Sequence, residues 1–218
     1  MISLAPQAAL SFREARGTLR RRMEITPQGT MSVWRHCLLT RLAARRILRA
    51  LDEGPGSKAA AQLPGWMPFD LLVQAGCHAL TSAERWTLQR YLGWHDCGKP
   101  TVMSRDAQGQ PHFPDHALCS SETWARIGGT PAECTLMRLD MAFHTWPAER
   151  MPELAANPLG RSLLLAAWAS LWANCADFGG AHALSFKIKR KHLERRGRAF
   201  CRLIRQNDGK PFVEDPFC

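Results

Sequence analysis

The sequence predicts an all-α fold, a helical bundle closed by a basic C-terminal helix. Three observations carry this. Almost no stretch alternates with period two, whereas most segments repeat apolar residues at helical spacing. Capping residues stand at the start of several of those segments. Pro- and Gly-rich breaks such as GPGS and SRDAQGQPHFP separate them. With 218 residues and 45% hydrophobic content, the chain is long and apolar enough for one large domain with a packed core, or one domain with an extension.

Residues 1–30 read as a basic N-terminal segment containing Arg20-Arg21-Arg22. Ser32 is a candidate N-cap for the first clear helix, SVWRHCLLTRLAARRILRALDEG, with Val33, Leu38, Leu39, Leu42, Ala43, Ile47 and Leu51 on its predicted apolar face. After GPGS a second helix is predicted over 69–80. Thr81 and Glu84 form a capping-box pattern that opens a helix through Tyr91, which runs into GWHDCGKP. After the polar loop, Asp115 is positioned to cap a helix through Ala125. Thr130 and Glu133 start another, ending near His144. A long apolar helix is predicted over 159–177, and a basic one from about Ser185 to Gln206. The domain reading is therefore 1–30 as basic segment, 31–184 as the main domain, and 185–218 as basic helix and tail.

The longest nearly apolar run, Leu163 to Ala173, is well short of the about 20 residues that span a bilayer, which excludes a membrane-spanning function. The N-terminal residues lack the basic leader, apolar block and cleavage site of a signal peptide. Eight cysteines scatter through apolar stretches with no CxxC pair, which favours reduced thiols and a cytoplasmic setting. The net charge is +10 and uneven. Between Lys187 and Lys210 ten lysines and arginines face two acids, Glu194 and Asp208. Such a run attracts polyanions, so RNA or DNA contact through 187–210 is one reading and a solvated helix face the other.

Candidate ligands fall near predicted helix ends: His36, His95 with Asp96, His116, His144 and Asp177. Helix ends can converge, and imidazole with carboxylate suits Mn, Fe, Co, Ni or Zn, with Mg where oxygen ligands suffice. An aspartate beside a histidine can bridge two metals, which clamp a phosphate and lower the pKa of water. Each residue also has a plain structural reading. His36 and His144 fit as hydrogen-bonded core histidines, and Asp177 before Gly179-Gly180 fits a helix end. His112 is a candidate for the pocket wall or the loop surface. His78, His182 and His192 read as structural or solvated. Trp34 and Trp94 read as core packing or as faces for a nucleobase.

The order His36, His95-Asp96, Asp177 resembles the HD-domain metal-dependent phosphohydrolases. The likeness is tightest over 95–124, HDCGKPTVMSRDAQGQPHFPDHALCSSETW, which is similar to the HD domains of bacterial tRNA nucleotidyltransferases. The resemblance covers roughly Met31 to Gly180. It implies that His36, His95, Asp96 and Asp177 hold a first divalent metal and that His116 and His144 complete a second site bridged by Asp96. It also implies that Lys99 faces the substrate phosphate, with Gly98 and Pro100 shaping the turn. Arg105 and Arg138 are further candidates to reach an anionic substrate. No segment resembles a nucleotidyltransferase catalytic domain, and the double-histidine and GYP signatures of the cyclic-dinucleotide-degrading subclass are missing. The implied activity is metal-dependent hydrolysis of a phosphomonoester or cyclic phosphodiester of a nucleotide or nucleic-acid end, with Asp96 and Lys99 catalytic. A single-strand nuclease of HD type, or a nucleic-acid-binding protein with a non-catalytic metal site, are the alternatives.

Overall fold

The structure, a computed structural model, describes residues 11–208, and side chains to residue 206. Lys210, Cys218 and residues 1–10 of the expected leaderless N-terminus lie outside the described residues. In chain order the elements are α1 (Phe12–Ile25), β1 (Pro27–Gln28), β2 (Met31–Ser32), α2 (Val33–Glu53), α3 (Lys58–Ala61), α4 (Phe69–Gln74), α5 (Ser82–Trp94) and α6 (Lys99–Val102). Then come β3 (Ser104–Arg105), β4 (Pro111–His112), α7 (His116–Arg126), α8 (Pro131–Arg138), α9 (Ala142–Thr145), α10 (Met151–Ala156), α11 (Gly160–Ala173) and α12 (Leu184–Asp208). The fold is all-α. Its strands form two short antiparallel hairpins, β1–β2 and β3–β4.

At the centre, α2 packs most extensively against α11 and also against α5. α11 is apolar around its whole circumference, and a helix of that kind is stable only when enclosed. Leu163, Leu164, Leu165 and Trp168 are indeed buried. Each fully buried leucine contributes about 1.5–3 kcal/mol. α2 is amphipathic, but its buried stripe differs from the predicted one. It runs Val33, His36, Cys37, Thr40, Ala43, Ala44, Ile47, Leu48 and Leu51, while Leu38 and Leu42 face outward. Period 3.6 drawn through Val33, Ile47 and Leu51 selects His36 and Thr40 and excludes the two leucines. A histidine thereby lies in the centre of the apolar seam.

α1, read from the sequence only as a basic segment, is a helix. Ser11 and Glu14 form a reciprocal capping box at its start, and Leu19 and Met23 are buried in the shared core. Its arginines are used locally. Arg22 Nη2 donates to Pro100 O at 3.2 Å. Arg16 and Arg20 stack over Trp124 and Trp34, each 5.0 Å from the ring centre. Trp34, Trp94 and Trp124 are themselves in ring contact at 5.1 Å. Packing therefore occupies the tryptophan faces that were weighed as a base-stacking platform.

Three predicted helices end early. The segment read as 69–80 stops at Gln74, because Gly76 turns left-handed at φ 72° and a single 3₁₀ turn follows over Cys77–Ala79. The one read as 159–177 is α11, capped at Asn174. The segment from Thr130 to His144 divides into α8 and α9. α12 is amphipathic, burying Phe186, Leu193, Phe200, Cys201 and Ile204 and leaving most of its cations exposed. Among the described residues no helix is long and apolar enough to cross a membrane, and the seven described cysteines are free thiols.

Candidate metal centre

The Thr81–Glu84 capping box starts α5 as the sequence predicts, and the helix continues to Trp94. His95 follows in helical backbone geometry, φ −54°, so the chain keeps winding through Asp96 into α6. Residues three apart on such a turn share a side. Accordingly Lys99 Nζ reaches Asp96 Oδ2 at 2.8 Å and Gln28 Oε1, on β1, at 2.9 Å.

Gly98 is required here by proximity. Its φ of −80° is open to any residue, but a Cβ would lie 2.4 Å from the Ser120 backbone nitrogen. Gly98 N donates to Ser120 Oγ at 2.9 Å, which fixes α6 against α7. Gly98 does lie in a turn, over 95–98, but it is the close approach of α7 that demands glycine, and Pro100 stands in the first turn of the short helix α6 that follows.

His36 on α2, His95 and Asp96 meet in the interior and are almost fully buried. His36 Nε2 is 3.3 Å from His95 Nε2. Asp96 Oδ2 is 3.6 Å from the first and 3.4 Å from the second. His95 Nδ1 is 3.0 Å from Leu92 O. A carbonyl only accepts, so Nδ1 carries a hydrogen and Nε2 is the nitrogen that faces the cluster. His116, the first residue of α7, repeats the device, with Nδ1 2.9 Å from Phe113 O and Nε2 3.6 Å from Asp96 Oδ1. Asp115 before it has a left-handed backbone, φ 49°, and makes no side-chain cap, contrary to expectation.

Burial and charge act strongly on these groups. Burial lowers His36 to about 3 and also lowers His144. For His95 burial works in the same sense, but Asp96, Cys37 and Asp140 together outweigh it and raise the imidazole well above its usual value. Burial alone would raise Asp96. Lys99, then His95, His36 and His116 reverse this and hold it well below the usual carboxylate range. The cluster is thus one buried carboxylate surrounded by cationic or lone-pair-bearing groups.

Among the described residues two groups could hold a metal ion: His36, His95 and Asp96, and Asp96, His116 and Asp140. The first fits a metal on its spacing. At ligand distances of about 2.1 Å, adjacent donors on one ion lie about 3.0–3.4 Å apart, close to the separations seen here. His36 Nδ1 is buried without a hydrogen-bond partner, so no protein acceptor holds its tautomer. Asp96 presents Oδ2 to one group and Oδ1 to the other, the arrangement a bridging carboxylate needs.

These side chains open on a cavity of about 200 Å³ whose wall includes Gln28, Lys99, Asp140, His144, Asn174, Phe178 and Lys189. His144, from α9, is therefore in the wall. Asp177 is not. Its Oδ1 accepts from Thr30 N at 2.9 Å and Thr30 Oγ1 at 2.6 Å, at the β1–β2 turn. There Gly29 has φ +56° and no room for a Cβ, which would sit 2.6 Å from Asp177. Arg105 Nη1 donates to Gly109 O inside the β3–β4 hairpin, and His112 pairs with Asp106 at 3.0 Å on the same hairpin. Arg138 is exposed. None of these three lines the cavity.

Sequence reasoning missed Asp140, Gln28 and Lys189. Asp140 accepts a hydrogen bond from the buried Tyr91 hydroxyl. It lies in the break between α8 and α9, within a stretch that reads as one continuous helix. The chain matches no protein-family model, no curated protein and no solved structure.

Proposed function

We propose that the protein is a metal-dependent phosphohydrolase acting on a phosphomonoester or cyclic phosphodiester of a nucleotide or nucleic-acid end. The observation that carries the reading is one buried carboxylate, Asp96, with one oxygen facing His36 and His95 and the other facing His116. In this reading His36, His95 and Asp96 hold one divalent ion, and Asp96, His116 and Asp140 a second, drawn from Mn, Fe, Co, Ni, Zn or Mg. Such ions supply Lewis-acid polarisation of phosphoryl oxygens and lower the pKa of water.

The chain's own residues do the rest. Leu92 O and Phe113 O orient the imidazoles of His95 and His116. Tyr91 holds Asp140 by its hydroxyl. Lys99, released from Asp96, supplies an ammonium to a substrate phosphate oxygen, and ammonium–phosphate hydrogen bonds are charge-assisted. The apolar wall from Leu171 and Phe178 limits water around the reacting phosphate. A reducing, cytoplasmic compartment belongs to the same reading, supported by buried thiols beside the site such as Cys37 and Cys97.

The test is turnover together with metal content. Protein loaded with Mn or Ni is expected to release phosphate from an aryl phosphate or open a 2′,3′-cyclic nucleotide. Asp96→Asn should abolish both turnover and bound metal. Asp140→Asn should retain one ion of two, and Asp177→Ala should keep both. Metal-loaded protein that is inert on every such substrate, or an Asp96→Asn variant as active as wild type, would overturn the reading. Loss of metal in Asp177→Ala would return that residue to the ligand set. Internal cuts in a labelled single strand, in place of terminal phosphate release, would turn the assignment to a nuclease.

A further inference from the structure

The exposed face of α12 continues into the metal cavity. Lys189 lines that cavity, with its Nζ 4.8 Å from the ring centre of Phe178 in the same wall. A neighbouring groove of about 300 Å³ shares His144 and Lys189 with it and extends past His192 to Arg196. A third, open groove of about 750 Å³ shares Ile188 and His192 with the second and carries Lys191, Arg195 and Arg198. The three concavities therefore adjoin one another round the side of one helix, each sharing two residues with the next. From Lys189 to Arg198 the helix rises about 14 Å at 1.5 Å per residue, longer than one phosphate and enough for several.

The charge along this path is one-sided. Its acid is Glu194, and Arg198 already pairs with it. Among the described residues no carboxylate lies within ion-pairing distance of Lys189, Lys191 or Arg195. A solvated basic helix would show cations without direction. Here Lys191, Arg195 and Arg198 share one face, and the path from them to the concavity that holds Asp96 turns round the helix through His192, Arg196 and Lys189, where it meets an aromatic ring. Cationic grooves with aromatic faces suit the backbone and bases of single strands.

We propose that α12 is a track for single-stranded polynucleotide that delivers a phosphorylated strand end to the metal cavity. This rests on the phosphohydrolase reading for what happens at the end of the track, and it narrows the substrate from any phosphate ester to a strand terminus. RNA and DNA share the backbone chemistry that the track recognises.

Fluorescence anisotropy tests it, with a labelled twelve-nucleotide single strand bearing a terminal phosphate, as RNA and as DNA, in EDTA so that nothing turns over. The variant is Lys191→Ala with Arg195→Ala and Arg198→Ala. The control removes three exposed cations elsewhere, Arg13, Lys58 and Arg126, each to Ala. The track variant should weaken binding at least tenfold near 100 mM salt and flatten the salt dependence, and the control less than twofold. With metal, wild type should prefer the strand to an aryl phosphate in kcat/KM, and the track variant should lose at least tenfold of that preference. The stronger-binding strand identifies the sugar. No strand binding by wild type, equal loss in both variants, or equal displacement by polyglutamate would overturn the track. Protein that hydrolyses small phosphates but fails to bind strands keeps the phosphohydrolase reading and loses the track. Protein inert on all phosphates, with binding lost only in the track variant, keeps α12 as a strand-binding face and loses the hydrolase.

Discussion

Lys99 Nζ lies 2.8 Å from Asp96 Oδ2, the same oxygen that faces His36 and His95. The ammonium thus stands where a metal's positive charge would be felt most, and an ion held there would compete with it for one carboxylate oxygen. Replacing Lys99 with Met removes the competitor while keeping the length of the stem. Lys99→Met is expected to bind Mn or Ni more tightly than wild type in calorimetry, by about tenfold, the equivalent of about 1.4 kcal/mol. The same variant should lose at least tenfold in kcat/KM for phosphate release, because the substrate contact goes with the ammonium. Weaker metal binding in Lys99→Met would show that the lysine supports the metal site instead of opposing ions in it.

Gly98 gives a prediction about stability. A Cβ there meets the backbone of Cys119 and Ser120, atoms that cannot swing aside as the end of a side chain can. Gly98→Ala must push α6 off α7 and strain the Gly98–Ser120 hydrogen bond. Overpacking of this kind costs about 1–3 kcal/mol, read as a lowered midpoint in urea unfolding with an unchanged slope. The shift also moves the backbone beside Asp96, so metal affinity should fall with it. Gly98→Ala with wild-type stability would mean that α6 does not depend on close contact with α7.

Buried thiols predict an alkaline limit to stability. Burial pushes Cys77 from its ordinary value of 9.0 up to about 12. The folded-state value is the raised one, so its stabilisation is present below pH 9 and is lost as pH rises toward 12, where only the unfolded chain's thiol ionises. Between those values the loss is about 1.4 kcal/mol per pH unit for one such thiol. Thermal midpoints should fall between pH 9 and 11, and Cys77→Ala should flatten that fall. An equally steep decline in Cys77→Ala would assign the limit to other groups. Ellman's reagent should leave Cys77 unmodified until the chain unfolds.

The parts of the fold legible in the sequence are those set by local rules. The Thr81–Glu84 and Thr130–Glu133 boxes place helix starts because each satisfies its own backbone donors within four residues. The capping box of α1 obeys the same rule, yet the arginines that follow it obscured its apolar face. Leu19 and Met23 supply two buried residues among many charges. In the site, His36, His95, Asp96 and His116 were visible as residue types at helix ends, and the fold brings them together. Asp140 was hidden by a helix break that no Gly or Pro marks. Lys189 was hidden among ten similar cations, since only the packing of α12 distinguishes the one that borders the cavity. Asp177 shows the reverse case, a residue fitting by order whose carboxylate binds Thr30 across the chain.

The cavity wall draws on both ends of the described chain, with Gln28 from the first hairpin and Lys189 from the last helix. Contacts of such long sequence separation form late, after local helices have closed their own loops. Gln28 and Lys189 therefore join Asp96 and Lys99, which meet within one turn, only when the first hairpin and the last helix dock. A partly folded chain can carry Asp96 and its histidines without yet possessing the pocket that surrounds them, so the site is complete only when the tertiary structure is.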